Sequence, residues 1–500
     1  MFLFRFLARF GAAADGWSMT TVLLPLTLGG RDLLLAGSSA FGRYTVLDHG
    51  GAVATPLFSQ TLAAPLGAFA LEDAALVTGA EGPRLYSTSR ADGQIDVQAI
   101  GTTGNATGRL SALAPLQSVG GVTMAATSVE TLMLNGVAHL AVASAKKATL
   151  DLIRLPDSGL PQLVTHLEDT PKATLDGISD MVSFTLGGQS FLAVASGRED
   201  GLSLFQVGAE GSLTLTDALT PKDGLWIDGL DVLATASLGG IRYLIAGSVS
   251  ANSLSVIRVN DLGVMFVTDQ MWDDATTRFG APDQIAVVAV GNRSLILAAG
   301  GDGGISLLEL MPDGRLIHHT SLEARDGTAV LADGVTGLAA WLDGSRLEIF
   351  AAGNDGLVQM EMSLANFGPL LQGTSGNDAL SGGSADELIF GGTGRDTLSG
   401  GAGDDILVAL SAGATLRGGA GADLFRPGVG SAATLIADFE RGADRIDLND
   451  WGRVYDISAL TIRATATGAE ISFGDNLLQI SQPGGGAIAP TLWTADDFLF

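Results

Sequence analysis

The apolar residues of the first 365 positions follow a pattern that recurs seven times. In each copy, an apolar run rich in small residues is followed by a turn and then by a strand that alternates apolar and polar positions. The residues that immediately precede the alternating strands are 51 to 55 positions apart: Arg43, Gln94, Thr149, Gly201, Ser253, Gly304 and Gly356. A near-constant period of this length predicts a repeat architecture.

Each copy has the pattern of four strands, most clearly between Asp176 and Leu219. Gly-Gly and Asp-Gly pairs separate the strands, and these dipeptides are hairpin signals. The second strand is apolar throughout, as expected for a strand that is covered on both faces. Seven units of four antiparallel strands predict a seven-bladed β-propeller over residues 1–367.

The order of strands at the two ends of this region predicts how the ring closes. The seventh copy ends near Met362, after its third strand. At the other end, residues 2–10 form a β-prone segment that precedes the first Asp-Gly turn. We therefore expect residues 2–10 to be the fourth strand of blade seven.

From Gly373 to Arg426 the period changes to nine, and six segments follow one another without interruption. The intact copies have a Gly-rich turn, an acidic residue at position six and an apolar residue at position eight. The apolar residues are Leu380, Ile389, Leu398, Leu407, Leu416 and Phe425. This pattern resembles the haemolysin-type RTX repeat, GGxGxDxUx. The resemblance implies an all-β chain, in which a parallel β-roll that binds Ca²⁺ occupies residues 368–450 after the propeller.

In such a roll, successive copies face opposite sides, so an ion lies between copies n and n+2. The pairs Asp378/Asp396 and Asp405/Asp423 have both carboxylates. A Glu387/Asp405 site is an open alternative, although the side chain of Glu387 is longer and Ala385 replaces a turn glycine; the site of Asp396 with Ala414 is expected to be weak or absent. Turn glycines bring backbone carbonyls to the ion: Gly376, Gly394, Gly403 and Gly421.

The residues after the repeats extend the resemblance to secreted proteins. Residues 433–451 are similar to the β-rich cap that follows RTX repeats in serralysin-like proteins. The final residues, TADDFLF, are similar to the uncleaved C-terminal signal that type I (ABC-transporter) secretion systems recognise. The resemblance implies that residues 451–500 hold the rest of the cap and this signal, and that the protein is extracellular.

Composition and charge agree with this destination. The chain has no cysteine and a net charge of −27, which argues against nucleic acids and anionic membranes as partners. Residues 373–450 contain twelve acidic residues, five arginines and no lysine, so we expect folding of the roll to require calcium. Arg5 and Arg9 interrupt the apolar N-terminal stretch, and we expect neither a signal peptide nor a membrane span.

The sequence indicates the function of the propeller less clearly than that of the roll. Its copies are similar to those of bacterial lactonase-like and surface-layer propellers, a resemblance that implies fold alone. HExxH, GxSxG and phosphate-loop motifs are absent. We expect no catalytic residues and no organic cofactor, and a module that binds an extracellular ligand or serves as a scaffold.

The alternative is a metal-dependent hydrolase of lactones or phosphoesters at the mouth of the channel. Two classes of loop on one face carry aspartates that would hold the metal: Asp15, Asp176, Asp228, Asp283 and Asp333, with Asp92, Asp200, Asp302 and Asp355. Asp-Gly is also favoured in tight turns, and we prefer that interpretation. The adjacent His318 and His319 are expected to make a poor single metal site, because neighbours on a strand face opposite sides, and we interpret them as surface residues.

Overall fold

The computed structural model describes residues 4–10, 20–38, 43–61, 71–79, 81–89, 93–102, 107–324, 331–354 and 356–500. Within them the regular structure is β-strand, with short 3₁₀ helices at Pro221–Asp223, Asn449–Trp451, Ile457–Ala459, Pro490–Leu492 and Ala495–Asp497. None of the helices in this part of the chain has the length and apolar character needed to cross a bilayer. The chain forms two compact units, one ending at Met362 and the other comprising residues 363–500 with 291–293.

The first unit is the predicted seven-bladed propeller, which confirms the fold class. Each blade is a four-stranded antiparallel sheet, and in blades one to six the strands lie in chain order. A small hairpin, Ser118–Val119 with Val122–Thr123, connects blades two and three.

The strands of blade one are Thr20–Leu28, Arg31–Ser38, Arg43–Asp48 and Thr55–Thr61; of blade two, Leu71–Gly79, Gly82–Ser89, Ile95–Ile100 and Leu110–Ala112; of blade three, Ser128–Leu134, Val137–Ser144, Thr149–Leu155 and Gln162–Glu168; of blade four, Ile178–Leu186, Gln189–Ser196, Gly201–Val207 and Leu213–Leu219. Those of blade five are Leu230–Leu238, Ile241–Ser248, Ser253–Val259 and Met265–Trp272; of blade six, Gln284–Val290, Arg293–Ala299, Gly304–Leu310 and Leu316–Glu323; of blade seven, Gly337–Asp343, Arg346–Gly353, Gly356–Ser363 and Phe4–Phe10.

The second strand of each blade is the centre of the hydrophobic core. In blade four, Leu192, Ala193, Val194 and Ala195 are all fully buried, on both faces of the strand. Small residues are needed here because neighbouring blades approach closely. A Cβ atom on Gly247 would lie 2.5 Å from Cγ1 of Val232 in the same blade and 2.8 Å from the carbonyl oxygen of Pro282, in the segment that leads into blade six. The small-residue runs therefore set the distance between blades.

Buried carboxylates connect the first strands of adjacent blades. Asp73 accepts hydrogen bonds from the Ser128 hydroxyl (2.7 Å) and the Val129 amide (2.9 Å) of blade three. Asp180 accepts one from the Leu233 amide of blade five at 2.7 Å, and its other oxygen accepts one from the adjacent Met181 amide. Burial raises the pKa of Asp73 and Asp180, but every one of these oxygens has a donor.

Blade seven is completed by the N-terminal strand. Phe4–Phe10 pairs antiparallel with Gly356–Ser363, from Phe4 opposite Met362 to Phe10 opposite Leu357. Phe10 is buried in the cluster between blades seven and one, and Arg5 forms an ion pair with Glu361. The ring is thus closed by strands from the two ends of the propeller sequence.

The second unit is a parallel β-roll of two sheets. One sheet contains Phe367–Gln372, Asp386–Phe390, Ile406–Val408, Leu424–Arg426, Arg445–Asp447 and Phe498–Leu499. The other contains Ala379–Ser381, Thr397–Ala402, Thr415–Ala420, Thr434–Ile436, Asn476–Ser481, Gly468–Phe473 and Thr461–Ala464, the last three joined antiparallel. Successive nonapeptides alternate between the sheets, as predicted.

The roll packs its apolar position-eight residues in columns. Leu380 lies beside Leu398, and Leu398 beside Leu416, in parallel register. Five of the six predicted core residues are fully buried, and Leu380, in the first copy, is partly buried. The acidic position of each copy therefore stacks directly on the equivalent position two copies later.

Deletion of residues 2–10 is expected to destabilise the propeller, because it leaves Gly356–Ser363 as an unpaired sheet edge. The loss of several backbone hydrogen bonds, at about 0.5–1.5 kcal/mol each, should lower the free energy of unfolding by about 3 kcal/mol or more. Thermal or urea denaturation measures the change. The matched control is Arg5→Ala, which removes only an exposed ion pair and should change stability by less than about 0.5 kcal/mol. An unchanged melting temperature after the deletion would contradict this role for the strand.

Candidate metal centre

The position-six carboxylates of the roll form a ladder along one side. Asp405 Oδ1 accepts a hydrogen bond from the Glu387 amide at 2.8 Å, and Asp423 Oδ1 accepts one from the Asp405 amide at 2.9 Å. On the other side, Asp396 Oδ1 accepts from the Asp378 amide at 3.0 Å. Each carboxylate is thereby oriented by the backbone of the copy 18 residues before it. The structure brings together the residues of both intact pairs predicted from the sequence.

The second oxygen of three of these carboxylates has no donor. Oδ2 of Asp396, Asp405 and Asp423 is buried and accepts no hydrogen bond from the described residues. The three residues are only 1–2% exposed. A buried acceptor without a partner costs about 1–3 kcal/mol, and more when it is charged. These oxygen atoms therefore indicate where a cation would bind.

In the third, fourth and sixth copies, the first glycine leaves room beside that oxygen. The point that a Cβ atom on Gly391 would occupy lies 2.6 Å from Asp396 Oδ2. The equivalent point on Gly400 is close to Asp405 Oδ2 and lies 2.6 Å from the carbonyl oxygen of Gly418. The space beside the carboxylate is thus bordered by a backbone carbonyl from two copies later. Any side chain at these positions would fill it.

The position-four glycines that were predicted as ligands stack directly on one another. Gly394, Gly403 and Gly421 have φ angles of 135°, 121° and 145°, which L-residues rarely adopt. A Cβ atom on Gly421 would meet the carbonyl group of Gly403, and one on Gly394 would meet that of Gly376. Glycine is therefore required here both by backbone conformation and by the carbonyl of the preceding turn.

The first two copies differ from the later ones. Oδ2 of Asp378 accepts hydrogen bonds from the amide (2.7 Å) and hydroxyl (2.9 Å) of Thr374, within the same turn. Oε2 of Glu387 accepts one from the Gly383 amide at 3.1 Å. Both carboxylates thus cap their own turns, whereas those of the third, fourth and sixth copies do not.

The fifth copy has no acidic residue in the ladder. Ala414 is 1% exposed and packs in the hydrophobic core of the roll. The ladder of Asp378 and Asp396 consequently stops there, while the one on the other side continues.

Two carboxylates that the sequence analysis did not select extend the centre. Asp444 Oδ1 accepts a hydrogen bond from the Asp423 amide at 3.0 Å, and Asp438 Oδ1 accepts one from the Gly418 amide at 3.0 Å. Asp444 lies in GADRI, which keeps the Gly-x-Asp-x-apolar spacing, but it follows Asp423 by 21 residues instead of 18. A search that allowed an insertion would have found it.

Burial and mutual repulsion shift the pKa values of these groups. Burial, together with the charges of Asp423 and Glu387, raises the pKa of Asp405 to about 7. Burial, together with Asp444 and Asp438, raises the pKa of Asp423 to about 7, and that of Asp444 rises to about 6 mainly through burial. Without a cation, the cluster therefore holds protons at a pH where exposed aspartates have lost them.

The aspartates of the alternative site in the propeller do not form such a cluster. Asp200 has φ of 50°, the left-handed conformation expected of an Asp-Gly turn, and its Oδ1 accepts the amide of Gly229, 29 residues away, at 2.7 Å; Asp176 pairs with Arg198. Burial, followed by the charge of Asp231, raises the pKa of Asp283 to about 7.

The other described members of this set are Asp228, Asp302 and Asp333; Asp15, Asp92 and Asp355 lie outside the described residues. In the described ranges, no three His, Asp or Glu side chains are close enough to hold a metal by themselves. A metal site in the roll accordingly needs backbone oxygens as well as carboxylates.

The interpretation of His318 and His319 as surface residues is wrong for His319. Its side chain is 8% exposed and its Nε2 lies 2.8 Å from Oε2 of the fully buried Glu309. The reason is that a buried carboxylate needs a donor. His318 Nε2 instead lies 2.8 Å from the Ser321 hydroxyl.

Comparison with known proteins identifies the repeats. The family model of the RTX calcium-binding nonapeptide repeat matches residues 370–398 and 381–411. The chain carries RTX calcium-binding repeats. A crystal structure of a protein from Lactobacillus plantarum aligns with the chain at a TM-score of 0.43 and 13% identity, covering 63% of this chain and 94% of the other. No curated protein matches the chain in sequence.

The residues of the RTX repeats fit calcium. Ca²⁺ binds six to eight hard oxygen ligands, carboxylates and backbone carbonyls among them, at 2.3–2.6 Å. The space beside Gly400 offers a carboxylate and a carbonyl oxygen, and the space beside Gly391 offers a carboxylate oxygen, so no nitrogen or sulfur ligand is needed. A bound cation would supply the positively charged partner that the three Oδ2 atoms lack.

The pKa values predict how pH affects the calcium-free roll. The folded pKa values of Asp405 and Asp423, about 7, exceed the ordinary value of 3.8, so protonation stabilises the fold below about 4 and this stabilisation is lost as the pH rises to about 7. In calcium-free buffer, amides of the roll should therefore exchange hydrogen more slowly at pH 5 than at pH 8, after correction for intrinsic rates. Saturating calcium should reverse the order, because the ion binds the carboxylate form.

The control is the double variant Asp405→Asn/Asp423→Asn, in which most of the pH dependence should disappear. Equal protection of the wild-type roll at the two pH values without calcium would show that these carboxylates do not govern its stability.

Proposed function

We propose that this protein is secreted and that calcium binding drives the folding of its roll after export. The observation that carries the proposal is the set of three buried Oδ2 atoms without donors, on Asp396, Asp405 and Asp423. The roll offers oxygen ligands to a cation, and its own net charge is negative. Near neutral pH, such a roll is stable only where calcium is available.

We assign the ions to the spaces between copies n and n+2. Asp405 with Asp423 is the strongest pair, since each contributes an oxygen that no protein group uses, and Asp438 and Asp444 add negative charge nearby. Asp378 with Asp396 is a second pair, and Glu387 contributes less because its own turn uses its carboxylate. The glycine carbonyls of Gly376, Gly394, Gly403 and Gly421 complete the proposed ligand set.

The proposed route out of the cell is a type I (ABC-transporter) system that recognises the C-terminal region. Extracellular calcium modules typically bind at about 10⁻⁴–10⁻³ M, so a roll of this kind would remain unfolded in a calcium-poor cytosol and fold outside. The propeller is then an extracellular binding or scaffold module. Of the described aspartates predicted at the channel mouth, Asp283 has a buried Oδ1 without a donor, but no three acidic or histidine side chains come close enough there to hold the metal of a hydrolase.

Replacement of Asp423 by Asn is expected to raise the calcium concentration at which the roll folds by about tenfold or more. Asn keeps the size and the Oδ1 acceptor of the side chain but removes the charge, and an interaction with a charged group is worth about 1.5–3 kcal/mol. Asp378→Asn should have a smaller effect, because Thr374 already occupies Oδ2 of Asp378. Calcium titration followed by circular dichroism measures both.

Asp475→Asn, at an exposed turn of the same unit, is the matched control and should leave the midpoint unchanged. If Asp423→Asn and Asp475→Asn behaved alike, the assignment of calcium to the Asp405/Asp423 pair would be wrong.

The secretion proposal has a separate test. Residues 451–500 fused to a reporter enzyme should direct its export from a bacterium that has a type I exporter for RTX proteins. The same fusion without residues 494–500 should remain in the cell, since it lacks the segment that resembles the signal. Equal export of both fusions, or of neither, would oppose this role.

A further inference from the structure

A cavity of about 390 Å³ lies between blades one and seven of the propeller. Blade one contributes its first two strands and the loop after its third strand, and blade seven contributes its first two strands. The polar and aromatic residues that line it are Thr27, Asp32, His49, Trp341, Asp343 and Glu348. None of them belongs to the roll or to the set of aspartates predicted at the channel mouth.

His49 is the central group of this cavity. Its side chain is only 9% exposed, and its Nδ1 lies 3.4 Å from Oε2 of Glu348. The imidazole also packs on the indole of Trp341, with 4.4 Å between ring centroids. Because the carboxylate favours a proton on Nδ1, Nε2 becomes a hydrogen-bond acceptor. Within the described residues, the contacts of the His49 ring are those with Glu348, Trp341 and Phe350, and His49 lines the cavity.

Glu348 is held in place beside the imidazole. Its Oε2 accepts a hydrogen bond from Trp341 Nε1 at 3.0 Å, and its Oε1 accepts one from Gln359 Nε2 at 2.6 Å. Gln359 is itself fixed, since its Oε1 accepts the amide of Ala54 at 2.8 Å. The donors around the carboxylate are therefore all used within the protein.

The remaining polar groups of the cavity are also acceptors. Asp32 accepts the hydroxyl hydrogen of Thr27 at 2.9 Å, which uses the one hydroxyl donor in the lining. Asp343 forms an exposed ion pair with Arg346, a residue outside the lining. Neither lysine nor arginine is among the lining residues. A ligand of this cavity must therefore bring hydrogen-bond donors and positive charge.

We propose that this cavity binds a small organic cation with N–H donors, a primary ammonium or a guanidinium group. The N–H groups donate to Nε2 of His49 and to the carboxylate of Asp32, and the surrounding carboxylates neutralise the charge. The imidazole and the indole give the cavity an apolar wall for the carbon chain of the ligand. This assignment rests on the binding role proposed for the propeller and names its ligand class, whereas calcium binding by the roll is independent of it.

The test is calorimetric titration of the full-length, calcium-saturated protein with butane-1,4-diamine at physiological salt. One diamine should bind per chain. His49→Phe, which keeps an aromatic ring but removes the acceptor, and Asp32→Asn, which removes the charge, should each weaken binding about tenfold or more. His166→Phe is the matched control, because His166 also pairs with a carboxylate, Asp151 at 2.5 Å, but lies in blade three; it should bind like the wild type.

Two further ligands separate charge from donors. Butane-1,4-diol has donors without charge, and tetramethylammonium has charge without donors; neither should bind detectably. Affinity for the diamine that is unchanged in both His49→Phe and Asp32→Asn would indicate adsorption to the acidic surface and overturn the proposal, as would absence of binding at millimolar diamine. Asp32→Asn keeps the test decisive if His49→Phe does not fold, and a calcium-induced folding transition in the same samples would leave the function of the roll unaffected.

Discussion

Carboxylates stacked in a protein interior need a counter-charge, and the roll depends on this constraint. The nine-residue period places a carboxylate at the same point of every second copy, and the pairing of the strands into sheets buries it. Each of Asp405 and Asp423 receives one backbone N–H on Oδ1 and none on Oδ2. Only a proton or a cation can supply what is missing, and near neutral pH protons are scarce. Under the proposed function, the hydrophobic column of the roll forms only when the charge beside it is neutralised.

The propeller contains buried carboxylates as well, and the comparison shows what distinguishes a structural group from an ion-binding one. Asp73 and Asp180 have raised pKa values caused mainly by burial, as in the roll. Yet both oxygens of Asp180 accept hydrogen bonds from backbone amides, and Asp73 accepts one from the hydroxyl of Ser128. Donors from the next blade thus replace the cation. A raised pKa by itself marks burial, whereas the position of the cation is indicated by the buried Oδ2 atoms of Asp396, Asp405 and Asp423, which lack donors in the third, fourth and sixth copies of one repeat.

Much of this architecture follows from periodicity, and the parts that do not are set by local or distant contacts. A period near 52 predicts blades and a period of nine predicts the roll, because each repeat must bury the same apolar positions against its neighbour. Spacing alone does not reveal that Thr374 takes over Oδ2 of Asp378, or that an insertion brings Asp444 into the ladder. The cavity of His49 and Glu348 could not be predicted from the sequence either, because its walls are about 300 residues apart and meet only when the ring closes.

The hydrophobic core of the roll also contains the C-terminal segment. Phe498–Leu499 is the last strand of one sheet of the roll, and Phe498 is 2% exposed beside Trp493 and Phe500. A secretion system that recognises this segment would have to do so before the roll folds. Low calcium inside the cell would keep the segment exposed, and calcium outside would bury it. Under the proposed function, one set of carboxylates thus separates the exported state from the folded state.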